Sequence, residues 1–508
     1  MCRVNANLVS AFYRHAVANP ERLALAVGGG SYSYGELARI SQQAARLLGR
    51  PARVGVLASR TLEAYAGVLG TLWAGAAYVP INPKVPDERL IQLLRITSLD
   101  AIVADAVGLE RLQGRVAELA PPLVLRAADF QGGKFNPEAA PAVVGEEDLA
   151  YIIFTSGTTG VPKGIMIETG SVVRLIDVMQ RRFGFCPDDR VSQASELTFD
   201  VSVFDMLMTW SAGAALYVVP AEQLMAPGKF IRDNDLTIWF SVPSIALFMQ
   251  RIGMLKPRVF PRLRYSLFAG EALPLVSAQV WQAAAPNSSV ENLYGPTEAT
   301  VICIGQRLTD PPNATANRGV LAIGYPFEGV EADVLDSTLN SVVWSEPGEL
   351  AVSGRQLARG YFNDPEMTAV RFPVLRGKRW YRTGDLVYRD ESGVFHHLGR
   401  IDNQVKVLGN RVELEEVEAH LRAITGTDSV VAITWPVVDG RALGIVAFLC
   451  GSRVGVQAAR EAMRQRVPDY MVPQQILEID PMPLGPSGKF DRNVLLRRLE
   501  QRRREADA

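Results

Sequence analysis

YIIFTSGTTGVPKG, residues 151–164, runs from an apolar, strand-like segment straight into a loop carrying glycines, hydroxyl side chains and a lysine. Gly157 and Gly160 permit positive φ. The exposed N–H groups and the hydroxyls of Thr155, Ser156, Thr158 and Thr159 are suited to cradling phosphate oxygens, with Lys163 adding charge. The loop is not the Walker type, which needs Gly-Lys where Pro162 and Lys163 stand. A strand feeding a phosphate loop predicts an α/β fold, and the flanking sequence agrees. Short apolar runs at 52–58 and 214–219 alternate with helical patterns at Glu36 to Leu48 and Leu62 to Trp73. That alternation implies βαβ units and mainly parallel sheets covered on both faces.

At 508 residues the chain exceeds the ~250–300 residues one core supports, so at least two domains are expected. From about Gly348 shorter strand-like runs alternate with turns, predicting a small β-rich layer, and near Asp402 the pattern resets. The expected division is a large N-terminal domain, 1–401, and a small mobile α+β domain, 402–508, with Leu495 to Glu505 as a charged, solvated helix or tail. Lys+Arg 53 against Asp+Glu 54 leaves no global field for nucleic acid or anionic lipid. The four cysteines, Cys2, Cys186, Cys303 and Cys450, lack metal-ligand spacing and read as reduced thiols of a cytoplasmic protein. The start lacks the continuous apolar core of a signal peptide, and Met206 to Val219 falls short of the ~20 residues a membrane span needs, reading instead as a buried helix feeding a strand.

The loop and the segments around it resemble the adenylate-forming superfamily of nonribosomal-peptide adenylation domains, acyl- and aryl-CoA ligases and luciferases. The resemblance rests on SYSYGEL (31–37), WAGAAYVPINP (73–83), LTFDVSVFD (197–205), FAGEALP (268–274), NLYGPTE (292–298), GELAVSGRQLARGY (348–361), YRTGDL (381–386), GRIDNQVKVLGNRVELEEVE (399–418), VPDYMVP (467–473) and PSGKFDR (486–492), in the family's order along essentially the whole chain. It implies an ATP site formed by the phosphate loop together with Gly270, Glu271, Ala272, Asn292, Leu293, Tyr294, Gly295, Pro296 and Thr297. The residue chemistry suits these roles. Tyr294 offers a flat face for a purine, Glu298 is a hard oxygen ligand for Mg²⁺ between phosphates, and Asp385 is able to accept from both ribose hydroxyls. Arg400 is placed to donate to the same sugar or its phosphate, with His397 bordering the nucleotide. Lys489, on a Gly-flanked turn, is the expected catalytic residue, neutralising the incoming carboxylate and the α-phosphate in the transition state. Asp402 falls at the family's hinge. Leu408 departs from the pattern, standing where many relatives have Arg, while Lys406 and Arg411 remain as nearby cations.

The same resemblance matches Asp200 to the aspartate that holds a substrate's α-ammonium; an acid in an apolar stretch is costly unless a cation compensates. A helix N-cap is the competing role. Carried over position by position, the pocket is Val201, Phe204, Phe240, Leu267, Ala269, Leu293, Val301 and Ile302, with Lys489 at its mouth. The absence of a second charge disfavours Glu, Lys and Arg, and two phenylalanines leave space for a small neutral side chain. L-Alanine is the expected substrate, then 2-aminobutyrate, serine or glycine, with L-proline, a d-alanyl carrier ligase and an acyl-CoA ligase as alternatives. A carrier-binding module without turnover is disfavoured by the intact Lys489, Glu298, Asp385 and Asp200. The 16 residues after Arg492 leave no room for a carrier domain of roughly 80 residues. A free-standing, monomeric enzyme is therefore expected, using ATP and Mg²⁺ to load the phosphopantetheine of a separate carrier protein.

Overall fold

The computed structural model describes residues 6–156, 162–316, 318–402, 404–407, 409–438, 441–483 and 490–507. Two compact units emerge. The first comprises residues 1–83, 94–154 and 164–401; the second comprises 84–93, 155–163 and 402–508.

Two large sheets build the first unit. One is nine-stranded, in the order Tyr325–Pro326, Ile304–Arg307, Ser289–Tyr294, Tyr265–Ala269, Ile238–Ser241, Arg190–Gln193, Ala215–Val218, Leu23–Val27, Gly30–Ser33. The strands from Leu23–Val27 through Ser289–Tyr294 pair parallel, and the edges are antiparallel. The other is seven-stranded, with Leu149–Thr155 flanked by Lys163–Glu168 and Ala77–Ile81. The expected helices form at Tyr34–Leu48 and Leu62–Trp73. The first starts on a capping box, Ser33 accepting from the Glu36 N–H while Glu36 accepts from the Ser33 N–H, as SYSYGEL permits. The apolar stretch from Met206 completes a buried helix, Val201–Ser211, which turns at Gly213 into the strand Ala215–Val218.

The chain order of these parallel strands decides where a site forms. From Arg190–Gln193 the chain steps to Ala215–Val218 on one side, then returns to Ile238–Ser241 on the other and continues outward. A reversal of that kind opens a crevice at the carboxyl ends of the strands, where ligands bind in open α/β sheets. Asp200 lies on the segment leaving the carboxyl end of the strand Arg190–Gln193.

The β-rich layer is five-stranded. Val330–Leu335, Gly348–Gly354, Lys378–Arg389 and Val374–Leu375 lie in order, and Phe395–Arg400 pairs with Lys378–Arg389. In the second unit the helix Leu414–Thr425 packs on the strand Val430–Thr434, and Val417, Leu421, Val430 and Ala447 share one core. The final helix, Arg492–Asp507, corrects the reading of a wholly solvated segment. Leu495 and Leu499 are buried against Val431 and Phe448, so this charged helix carries an apolar stripe. Among the described residues no helix is long and apolar enough to cross a membrane, and Cys186, Cys303 and Cys450 are free thiols.

Candidate active site

One group of expected residues assembles where the nine-stranded sheet meets the β-rich layer. Asp385 and Arg400 are register partners on adjacent strands, and Tyr294 ends the strand Ser289–Tyr294. Tyr294 Oη donates to Asp385 Oδ2 at 2.5 Å; Arg400 Nη1 reaches Asp385 Oδ1 at 3.1 Å and His397 Nε2 the same oxygen at 3.2 Å. Burial alone pushes the Asp385 carboxyl up, but His397, Arg400 and Tyr294 together outweigh it and hold the group well below the usual carboxylate range. The result is a buried carboxylate with a fixed charge. Burial first, then the Asp385 charge, drive the Tyr294 hydroxyl well up, so it stays protonated and donates. Sequence reasoning missed Thr383, whose hydroxyl accepts from the Asp385 N–H and whose carbonyl accepts from Arg400. Its signal was its place in YRTGDL.

The loop 295–302 closes onto this cluster. A Cβ at Gly295 would lie 2.5 Å from Ile302 Cα, so only glycine permits the approach, and Thr300 and Val301 both take positive φ. Glu298 is fully buried on the same loop, its Oε1 accepting from Tyr361 Oη at 2.9 Å and its carbonyl accepting from the Ala358 N–H. Tyr361 is a second residue sequence reasoning passed over. Gly270 takes φ +90 at the end of its strand, Glu271 accepts the Ser244 N–H at 2.9 Å, and Asn292 donates to the Leu321 and Ala322 carbonyls. Asn292 thus ties a neighbouring loop to the site floor.

The second group is the apolar pocket. Phe204 and Phe240 meet edge to face with centroids 5.3 Å apart, and both are buried. Phe240 pairs with Leu267 and Ala269 with Leu293 across the parallel sheet, so the strand register brings four expected lining residues to one region. Val301 and Ile302, on the positive-φ turn, are also buried. Asp200 and Val201 are half-buried at the head of the helix Val201–Ser211. The Asp200 side chain makes no capping bond, which removes the competing N-cap role. LTFDVSVFD contains a second acid, and the structure separates the two. Asp205 is completely buried with neither carboxyl oxygen hydrogen-bonded, and burial pushes it well up into the neutral form. A neutral acid offers an ammonium no charge.

In the second unit, Ser156 Oγ donates to the Arg411 carbonyl at 2.9 Å, and Lys163 Nζ lies 4.0 Å from Glu413. Both are partnerships the sequence did not announce. Thr155 ends its strand, Asp402 Oδ1 accepts the Gln404 N–H at 3.2 Å, and Gly157, Thr158, Thr159, Gly160, Leu408 and Lys489 lie outside the described residues.

The fold and these clusters define an adenylate-forming ligase of the adenylation-domain type. The chain belongs to the AMP-binding enzyme family, whose model matches residues 12–362. It is 33% identical over 97% of its length to tyrocidine synthase 2 of Brevibacillus parabrevis and 34% identical over 95% to surfactin synthase subunit 2 of Bacillus subtilis (strain 168). It spans only 14% and 13% of those curated relatives. Among solved structures it is similar to the Vibrio cholerae adenylation domain AlmE in complex with glycyl-adenosine-5'-phosphate, with TM-score 0.89, 31% identity and 98% of both chains covered. It is also similar to holo-PA1221, a nonribosomal peptide synthetase protein containing adenylation and PCP domains, with TM-score 0.81, 25% identity, 97% of this chain and 84% of that one.

Proposed function

We propose that this chain activates a small neutral L-α-amino acid, alanine first, and passes it to the phosphopantetheine thiol of a carrier protein. The observation that carries the reading is Asp200, a carboxylate at the head of a buried helix that does not cap it, beside a pocket narrowed by Phe204 and Phe240. A substrate ammonium would pair with this carboxylate, and the two rings favour a small side chain. In the first step a carboxylate oxygen of the amino acid attacks the α-phosphorus of ATP and pyrophosphate leaves. In the second the carrier thiolate attacks the carbonyl carbon and AMP leaves.

Asp385, held ionised, accepts from the ribose, with Tyr294 and His397 bordering the base and Arg400 fixing the carboxylate. Gly270, Glu271, Ala272, Asn292, Leu293, Gly295, Pro296 and Thr297 shape the remainder of the nucleotide site, and Lys163 with the 155–160 loop serves the phosphates. Lys489 supplies the cation at the reacting carboxylate. Magnesium suits a site made of one carboxylate and nucleotide phosphates. Glu298 is the carboxylate assigned to it, held in place by a hydrogen bond from Tyr361, and among the described residues no group of three or more His, Cys, Asp or Glu forms a cage. When bound there, the ion neutralises phosphate charge. The division at Asp402 and transfer to a separate carrier belong to the same proposal.

Glycine is the second reading, favoured by the likeness to AlmE, whose structure holds glycyl-adenosine-5'-phosphate. The test is amino-acid-dependent pyrophosphate release across the proteinogenic set, d-alanine and 2-aminobutyrate, followed by loading of a separate holo carrier against free CoA. A maximum at L-alanine is expected. A maximum at glycine selects the second reading, and one at proline or a bulky residue overturns the pocket assignment.

A further inference from the structure

The strand Arg53–Leu57 of the seven-stranded sheet leads into the helix Leu62–Trp73 through residues 58–61, and Arg60 on that turn takes φ 53. This is the left-handed region, which costs a residue with a Cβ free energy and persists where the surroundings over-determine it. What holds Arg60 there is its side chain, only 9% exposed. Nε donates to Glu196 Oε1 at 2.9 Å, Nη1 to the Val219 carbonyl at 2.8 Å and Nη2 to the Ala194 carbonyl at 2.6 Å. All of these acceptors belong to the other large sheet. Ala194 and Val219 directly follow the adjacent strands Arg190–Gln193 and Ala215–Val218.

Two neighbours complete the clamp. Ser59 Oγ donates to the second Glu196 oxygen at 2.5 Å, and the Ser59 N–H donates to Asp105 Oδ2 at 3.0 Å. Asp105 is buried, follows the strand Ala101–Ala104 and also accepts the Gly108 N–H at 2.7 Å. The network thus ties together the carboxyl ends of four strands drawn from two sheets.

Joining the sheets does not require it. They already share one apolar core, and a partly buried ion pair adds little net stability because desolvation offsets its attraction. The segment 194–200, by contrast, belongs to no strand or helix, so no ladder sets its path. Its geometry comes from Arg60 and from its own turn bonds. The Phe199 N–H donates to the Glu196 carbonyl at 3.0 Å, the Ser202 hydroxyl to the Phe199 carbonyl at 2.7 Å and the Val203 N–H to the Asp200 carbonyl at 2.9 Å. A continuous run of hydrogen bonds therefore links the guanidinium to the backbone of Asp200, and the planar fork fixes direction as well as distance.

We propose that Arg60, seated by Ser59 and Glu196, is a positioning residue for the amino-acid end of the site, setting the path of 194–200 from the opposite sheet. This rests on the amino-acid-activating reading above and extends it to a group that acts through that segment without touching substrate.

The test is pyrophosphate release by Arg60→Lys, Glu196→Ala, Ser59→Ala and the Ser59→Ala/Glu196→Ala double variant. The best amino acid of the wild-type scan and ATP are varied separately, with Tm alongside. Arg60→Lys keeps the charge and loses the fork. Arg60→Lys and Glu196→Ala are each expected to raise the amino-acid KM about 10-fold, as for loss of hydrogen bonds between charged groups, with ATP KM within about twofold of wild type. Ser59→Ala is expected to raise it about threefold, and the double variant no further than Glu196→Ala alone, since both act through one carboxylate. An amino-acid KM at the wild-type value in Arg60→Lys and Glu196→Ala overturns the proposal. So does a parallel loss of Tm, ATP affinity and amino-acid affinity, which makes the network a tie between sheets. Should the larger changes prevent folding, Ser59→Ala decides, an unchanged amino-acid KM overturning the proposal. A wild-type protein that releases pyrophosphate with no amino acid overturns the underlying reading instead, a result visible before any variant is made.

Discussion

The nucleotide end and the amino-acid end of the candidate site solve the burial of charge in opposite ways. Around Asp385 the protein satisfies itself. Tyr294, His397 and Arg400 contact the carboxylate, and Thr383 braces both Asp385 and Arg400. Asp200 instead heads the helix that carries Phe204, which meets Phe240 edge to face in the apolar pocket. A prewired carboxylate presents fixed geometry to any nucleotide, whereas in the proposed reading the acid beside the apolar pocket selects a substrate that brings a cation. Common chemistry belongs to the first end and selectivity to the second.

The contrast is broken most severely at Lys489, which the proposed function assigns to both ends. Lys489→Ala is expected to slow adenylate formation by about 10²–10³-fold with folding intact, as for other losses of transition-state charge stabilisation; unchanged pyrophosphate release would remove its role. Asp200→Ala is expected to raise the amino-acid KM about 100-fold, the loss of a half-buried ion pair, while ATP KM stays put. Equal changes in both constants would erase the distinction between the two ends. Asp385→Asn is the mirror experiment. ATP KM rises about 30-fold at unchanged amino-acid KM, measured by varying each substrate against saturating partner. Phe240→Ala widens the pocket and moves preference toward larger aliphatic side chains by about 10-fold in relative kcat/KM, in line with the ~1–3 kcal/mol a methylene is worth in an apolar pocket. No shift would place the selectivity wall elsewhere.

The smallest effect concerns stability in the second unit. Burial first, then Arg89 and Arg466, lower the His420 pKa from 6.5 to about 4. Because the native state holds this imidazole neutral while the unfolded chain protonates near 6.5, its contribution is full above that pH. It is lost progressively as pH falls toward 4. His420→Gln is therefore expected to flatten the decline of Tm between pH 7 and pH 4.5 and to leave it unchanged at pH 8.

Much of this was legible along the chain because the relevant signals are local. Capping, as at Ser33 and Glu36, depends on neighbours three residues apart, and the helices Tyr34–Leu48 and Leu62–Trp73 follow from apolar spacing. Thr383 and Tyr361 sat inside quoted motifs, yet their partners, Asp385 with Arg400 and Glu298, were not readable from spacing. Hydrogen bonds between Tyr361 and Glu298 span 63 positions. The final helix read as solvated because its charges dominate a linear view; Leu495 and Leu499 face the core only once Val431 and Phe448 are folded beneath them.

The sequence by itself determined the class of fold, the phosphate loop, the succession of motifs and the acids and cations available for chemistry. Only the tertiary structure decided that Asp205 in LTFDVSVFD is buried and pushed toward its neutral form, and that Tyr78 and Tyr151 are register partners on adjacent strands. The physical reason is that ionisation and hydrogen-bond satisfaction are set by burial and by neighbours distant in sequence. Composition names the groups; packing assigns their charge and their partners.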